Sequence, residues 1–212
     1  VAVQPVRASE ASRFGLLKRD QDARITAFVE KPRDPEVLAQ FVSREDDERP
    51  YLGSMGIYIF NTPVLEELLE NSAHEDFGSQ IIPGAIHTHR VYGFDFDGYW
   101  EDIGTIRSFY ETNLSLARPD APFNFYDPVR PIYTRARYLP GSVIDGATLN
   151  NVLIADGCKI HKAQITNSVI GLRSHIEAGA IISNSVIMGA DYYDTRETAS
   201  QGRVPLGIGL NS

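Results

Sequence analysis

The sequence predicts an α/β domain followed by a parallel β-solenoid, and three observations carry that prediction. Short apolar-alternating runs (Phe14 to Lys18, Arg24 to Val29) are succeeded by amphipathic helical patterns, the mark of strands and helices in one layer system. Five of the twelve prolines, Pro119, Pro122, Pro128, Pro131 and Pro140, then fall within 22 residues, which rules out a regular element and marks a semi-rigid connection. From Gly141 onward single aliphatics recur every five or six residues (Leu149, Ile154, Ile160, Ile165, Ile170, Ile176, Ile182, Ile187), and Asn150-Asn151-Val152, Asn167-Ser168-Val169 and Asn184-Ser185-Val186 repeat at a spacing of 17. A helix places apolar residues three and four apart; three steps of five or six instead describe one turn of a three-sided coil. An irregular β-sandwich edge fits the repeated Asn-x-Val less well.

Taken in order, the first two runs form a hairpin across the polar turn Arg19 to Ala23 and lead into Glu30-Lys31-Pro32. Pro35 to Val42 is a short helix and Arg44 to Arg49 a charged, solvated loop. Tyr51 to Phe60 is almost wholly apolar after Ser54, as expected of a buried central strand. Thr62 and Pro63 supply an N-cap and first-turn proline for a helix carrying Val64, Leu65, Leu68 and Leu69. A second helix covers Ser79 to His87, and Val91 to Phe96 alternates as a strand. Thr105 caps an amphipathic helix to about Ala117 with Ile106, Phe109, Tyr110 and Leu114 on one face.

Composition excludes several classes. A net charge of −8 over 212 residues offers no basic stripe for nucleic acid, and no apolar run approaches the roughly 18 residues of a membrane span. The single cysteine, Cys158, forms no internal disulfide, so a reducing compartment is expected. The chain starts at Val1 and ends within repeat texture, as a fragment open at both ends would.

Few residues carry chemistry. Lys31 precedes Pro32, which biases its backbone to the extended region and holds an ammonium in a defined place, suited to a monodentate phosphate contact. Glu30 is placed to accept from sugar hydroxyls; taken alone, the tripeptide reads more readily as a surface turn. Ser54 lies between Gly53 and Met55-Gly56, where a ligand has access to the backbone, and a small packed residue is an equal reading. Asp102 offers an oxygen ligand for a hard cation such as Mg²⁺, or simply a charge before a helix. Trp100 is a packing anchor. Set aside are His87-Thr88-His89 (a solvated strand edge rather than zinc), Asp76-Phe77-Gly78 (a kinase-like tripeptide without companions), Gly207-Ile208-Gly209, and the solenoid residues His161 and His175, which lack a partner in sequence.

Phe28-Val29-Glu30-Lys31-Pro32, Ser54 to Tyr58, Tyr99-Trp100-Glu101-Asp102-Ile103-Gly104-Thr105, Pro131 to Pro140 and Met188 to Tyr193 together resemble the ADP-glucose pyrophosphorylase (glucose-1-phosphate adenylyltransferase) family, in its cyanobacterial and plant form. The resemblance implies an α/β fold: the C-terminal half of a Rossmann-like nucleotidyltransferase domain over 1–118, a linker over 119–140, and part of a left-handed parallel β-helix over 141–212. It implies conversion of ATP and glucose 1-phosphate to ADP-glucose and pyrophosphate for glycogen or starch, in a homo- or heterotetramer of the bacterial cytoplasm or plastid stroma. Lys31 would bind the sugar phosphate, Glu30 and Ser54 the glucose, and Asp102 would be one of two aspartates holding Mg²⁺. Arg135 and Arg137 match positions near a regulatory site for a phosphorylated effector. The family's glycine-rich ATP loop is not matched, since the chain contains no Gly-Gly pair, so this chain alone is expected to be inactive. Competing expectations are a nucleotidyltransferase for N-acetylglucosamine or mannose phosphate, a non-catalytic regulatory subunit of the same assembly, and a pure scaffolding solenoid.

Overall fold

The computed structural model describes residues 1–70, 74–194 and 206–212. Two compact units divide between Gly98 and Tyr99.

The first unit is a five-stranded mixed sheet. Its strands are β1 (Ala2–Val6), β2 (Gly15–Arg19), β3 (Ile25–Glu30), β4 (Tyr51–Ser54) and β5 (Phe94–Asp95), in the order β3-β2-β4-β1-β5. All pairings are antiparallel except β1 with β5. The hairpin read from sequence forms: Asp20 closes it by accepting from the amides of Asp22 and Arg24, at 3.0 and 2.9 Å, while Ala23 takes a left-handed φ of 63°. Successive side chains alternate faces, so Leu17 and Leu52 join Val3, Ile25, Ile82 and Ile86 in one core, and Leu16 and Tyr51 join Val6 and Ala11 in another. Helix α3 (Ile82–Thr88) covers the first face, and Leu38 of α1 (Pro35–Gln40) reaches the second. A helix α2 (Thr62–Glu70) completes the unit.

Five expectations need correction here. The strand expected over Tyr51 to Phe60 ends at Ser54, because Gly56 turns the chain at φ 70°; beyond it Ile59 is 94% exposed. Thr62 is the first helical residue rather than the cap, since the amides of Val64 and Leu65 already bond to the Asn61 carbonyl. The helix expected from Ser79 begins as a π-turn, Phe77–Ile81, that runs into α3. His87 and His89 end that helix instead of sharing a strand, with His89 Nε2 3.6 Å from Glu67, and the pairing of Val91 to Phe96 shrinks to β5 and one bridge at Tyr92.

In the second unit, α4 (Ile106–Leu116) is held at its start by a capping box: Thr105 Oγ1 accepts from the Ser108 amide at 3.0 Å and Ser108 Oγ accepts from the Thr105 amide at 3.2 Å. The expected apolar face is only half real, since Leu114 is buried while Ile106 is 90% exposed. Between 117 and 142 there is no helix or strand, as the prolines demand.

The coil that follows has three sides. One is β6 (Val143–Asp145), β8 (Lys159–His161) and β10 (His175–Ile176); the second and third come from the two halves of β7 (Thr148–Ile154) and β9 (Gln164–Ile170), extended by β11 (Ile181–Ser183) and β12 (Val186–Ile187). All these pairings are parallel. Corners are columns of left-handed residues: Gly146, Lys162 and Gly179; Asn151, Asn167 and Asn184; Gly157 and Arg173, with left-handed Gly189 one place earlier in the next coil, beside Leu172. Ile160, Ile165, Ile170, Ile176 and Ile182 fill the interior as expected, with Cys158, Ala163 and Ala180 in the tight places near corners. Leu149 departs, at 37% exposed: it pairs with Ile165 and faces the same way, but it sits on the first coil, whose outer side nothing described covers.

The fixed spacing of 17 also needs correcting. Ile165 pairs with Ile182, seventeen residues on, but Leu149 pairs with Ile165 and Val152 with Ser168, sixteen on. The residue equivalent to Asn167 and Asn184 is therefore Asn151, and all three share the left-handed corner that asparagine tolerates best after glycine.

Candidate functional site: a sugar-phosphate cluster on the sheet

The end of β3 delivers Glu30 and Lys31 side by side, with Lys31 Nζ 3.3 Å from Glu30 Oε1. Glu30 stands opposite Gly15, and a side chain there would crowd it: a Cβ on Gly15 would lie 2.7 Å from Glu30 Oε2, and one on Gly78 the same distance. Two glycines from separate segments thus make room for one carboxylate. The Lys31 side chain remains 62% exposed, so its ammonium is presented to solvent.

Lys31 does not take the extended conformation expected before proline. Its φ is 46°, and its amide bonds to the Phe14 carbonyl at 3.1 Å, extending the hairpin ladder one residue past β3. A left-handed lysine costs on the order of 1–2 kcal/mol, which the surrounding structure must offset. Strain of this kind concentrates at functional sites.

Ser54 ends β4 and is buried, its Oγ accepting from the Gly56 amide at 3.3 Å. The two glycines beside it differ in role. A Cβ on Gly53 would lie 2.8 Å from Val6, so that residue is small for packing, whereas the space beside Gly56 is open. The turn at Gly56 brings Tyr58 back toward the Ser54 hydroxyl. Burial pushes the Tyr58 phenol above its ordinary pKa, and the charges of Glu30 and Asp76 add to the rise against the opposing effects of Ser54 and Lys31. It therefore stays a protonated donor at neutral pH.

Asp76, set aside in the sequence, belongs to this cluster. Its carboxylate accepts from the Ser79 hydroxyl and amide, both at 2.6 Å, and these two bonds hold it below the usual carboxylate range, with smaller help from Gly78 and the charge of Lys31. Phe77 stacks on Tyr58 with ring centroids 5.7 Å apart. The local signal was the π-turn, which sequence periodicity does not reveal and which recurs at functional sites. One carboxylate pair, one ammonium, two hydroxyls and an aromatic wall thus gather from three segments, an inventory suited to a polyol carrying an anion.

The remaining site residues lie in the second unit. Asp102 precedes α4, and its Oδ2 would lie 3.1 Å from a Cβ on Gly104, so the carboxylate folds over that glycine. Among the described residues no three His, Cys, Asp or Glu side chains gather into an ion-holding group. Asp102 supplies carboxylate oxygen, the ligand type that Mg²⁺ takes alongside phosphate and water. Arg135 and Arg137 are exposed in the irregular segment, linked by Arg137 Nη1 donating to the Arg135 carbonyl at 3.3 Å. His161 and His175 are coil-surface residues, and the structure supplies the partners that sequence lacked: Asp145 at 2.6 Å and Glu177 at 3.1 Å. Among the described residues no helix is long and apolar enough to cross a membrane.

Comparison with known proteins follows the same division. Residues 1–118 match the family described as nucleotidyl transferase, and residues 137–212 match the GLGC left-handed parallel beta-helix domain. The whole chain is 44% identical over 228 aligned residues to the small subunit of glucose-1-phosphate adenylyltransferase, chloroplastic/amyloplastic, of Triticum aestivum. It spans about half of that relative, 48% of its length. A mixed sheet with covering helices, a left-handed β-helix and this level of identity lead to one assignment: the chain belongs to the glucose-1-phosphate adenylyltransferase family of nucleotidyltransferases.

Proposed function

We propose that the protein containing this chain makes ADP-glucose and pyrophosphate from ATP and glucose 1-phosphate, and that this chain supplies the sugar-phosphate half of the site. The observation that carries the reading is the exposed Lys31 ammonium beside Glu30, Ser54, Tyr58 and Asp76, in a chain 44% identical to the wheat adenylyltransferase subunit. Lys31 binds the phosphate of glucose 1-phosphate; Glu30 and Ser54 take sugar hydroxyls, joined by Tyr58 and Asp76. Asp102 is the residue that would hold Mg²⁺, which when bound supplies charge neutralisation between the α-phosphate and departing pyrophosphate.

The attacking sugar phosphate is ionised at neutral pH, so no general base is required. The residues of this chain act by fixing the position of that phosphate and holding its charge. Arg135 and Arg137 take a phosphorylated effector, and the left-handed coil contributes to a tetramer in the bacterial cytoplasm or plastid stroma. The name of the wheat relative, a small subunit, favours a heterotetramer and keeps open a regulatory role for this chain within it.

Assaying the whole protein with ATP, UTP and GTP against glucose 1-phosphate, N-acetylglucosamine 1-phosphate and mannose 1-phosphate tests the reading. ADP-glucose is the expected product, and the 212-residue chain by itself is expected to form none. Faster turnover with another nucleotide or sugar overturns the substrate assignment.

A further inference from the structure

The loop bearing Asp102 runs through Gly104 directly into the capping box that starts α4, so the direction of α4 sets where that loop begins. Helix α4 in turn packs on β9 and β12 of the coil. One polar contact fixes it there: the Tyr110 hydroxyl donates to the Asn184 carbonyl at 2.6 Å. Asn184 is no ordinary coil residue. It occupies the left-handed corner at φ 48°, and its Oδ1 accepts from Asn167 Nδ2 at 2.6 Å, so two successive coils steady the carbonyl that Tyr110 uses.

We propose that Tyr110 is a positioning residue for the Asp102 loop, anchoring the carboxylate's segment to the Asn167–Asn184 corner of the β-helix. A helix of 11 residues transmits a shift at its middle to its first turn as a rigid body, because its backbone bonds are continuous. The capping box then passes that shift to Thr105 and Gly104 without slack, since both of its bonds must hold for the first turn to stay closed. This makes the solenoid corner part of the machinery that sets the Asp102 carboxylate, even though Tyr110 touches neither substrate nor metal. The inference rests on the reading of Asp102 as a metal-holding residue.

Tyr110→Phe removes the hydroxyl and leaves the ring. In the 212-residue chain, amide hydrogen exchange over 99–108 is expected to quicken roughly threefold to tenfold, the scale of one exposed hydrogen bond, while amides of Ile165 and Ile170 keep their protection. In the whole protein, kcat is expected to fall by a similar factor with KM for glucose 1-phosphate unchanged, and the Mg²⁺ concentration at half-saturation to rise. Unchanged exchange over 99–108, or a raised KM at constant kcat, overturns the proposal. The exchange measurement needs no assigned activity. A whole protein that makes no ADP-glucose therefore sinks the proposed function alone, and a silent exchange experiment on an active protein sinks this inference alone.

Discussion

Left-handed backbone appears in both units, and it means different things in each. In the β-helix it recurs at every corner, in columns such as Asn151, Asn167 and Asn184, where a coil must turn by the same amount in each layer. In the sheet unit it appears in the turns at Ala23 and Gly56 and, at a strand end, at Lys31, a long charged residue followed by proline, where neither the residue nor its neighbour favours it. Repetition is architecture: most corner positions are glycine or asparagine, whose type relieves the conformation, and Lys162 and Arg173 adopt it in register with such neighbours. An isolated instance without such relief is held in place by tertiary structure, and it sits where an ammonium has to point out of a strand end beside Glu30.

Substituting at Lys31 gives the largest expected effect and tests whether that strain serves the site. Lys31→Ala in the whole protein should lower kcat/KM for glucose 1-phosphate by about a hundredfold or more, the scale of a charge-assisted phosphate contact removed from a reacting group. Lys31→Gly should lose as much activity, yet leave the thermal midpoint equal or higher, because glycine accepts φ 46°. In a strand with ordinary φ the same change costs about 0.5–1 kcal/mol. A Lys31→Gly protein that melts clearly below the Lys31→Ala protein would show the left-handed conformation to be absent in solution.

The corner column sharpens the other side of the comparison. Asn167→Ala should destabilise the coil by about 1–2 kcal/mol, since alanine is poor in the left-handed region and the bond to Asn184 is lost. Asn151→Ala should be destabilising for the same conformational reason, whereas Asn150→Ala, one residue earlier and paired with Thr166 within a straight segment, should stay within about 0.5 kcal/mol of wild type. Urea melts of the three variants decide it. A larger loss at 150 than at 151 would mean that the first coil follows the seventeen-residue repeat after all.

What the sequence made legible follows from the range of the interactions involved. Coil aliphatics such as Ile160 and Ile170 are set by local alternation, so their burial could be read residue by residue; even there the sixteen-residue first step escaped, because Asn150 and Asn151 are the same residue type. Glu30, Lys31 and Ser54 were legible through their motifs, but not the shape around them. The glycines that admit the Glu30 carboxylate, Gly15 and Gly78, lie far from it in sequence, and the Lys31 conformation accompanies a bond to the Phe14 carbonyl, just ahead of the neighbouring strand. Asp76 was lost to a misleading tripeptide. Its place depends on a π-turn whose bonds skip five residues, a period that no apolar pattern encodes.

The smallest expected effect belongs to Asp76, where the site's electrostatics can be titrated directly. Its pKa is depressed in the folded chain, chiefly by the Ser79 hydroxyl and then by the Ser79 amide. The folded state therefore binds the proton less readily than the unfolded one, so the stability linked to Asp76 is present above the ordinary carboxylate range and is lost as pH falls through the depressed value. Ser79→Ala removes the hydroxyl and keeps the amide, so the Asp76 titration, followed by carboxyl carbon NMR, should move part of the way back up. Asp76 is ionised at neutral pH in both proteins, so sugar-phosphate binding near pH 7 should be little altered and the two should part only in acid. A Ser79→Ala protein whose Asp76 titrates as in wild type would show that the hydroxyl is not what holds this carboxylate, and that the π-turn amides do so without it.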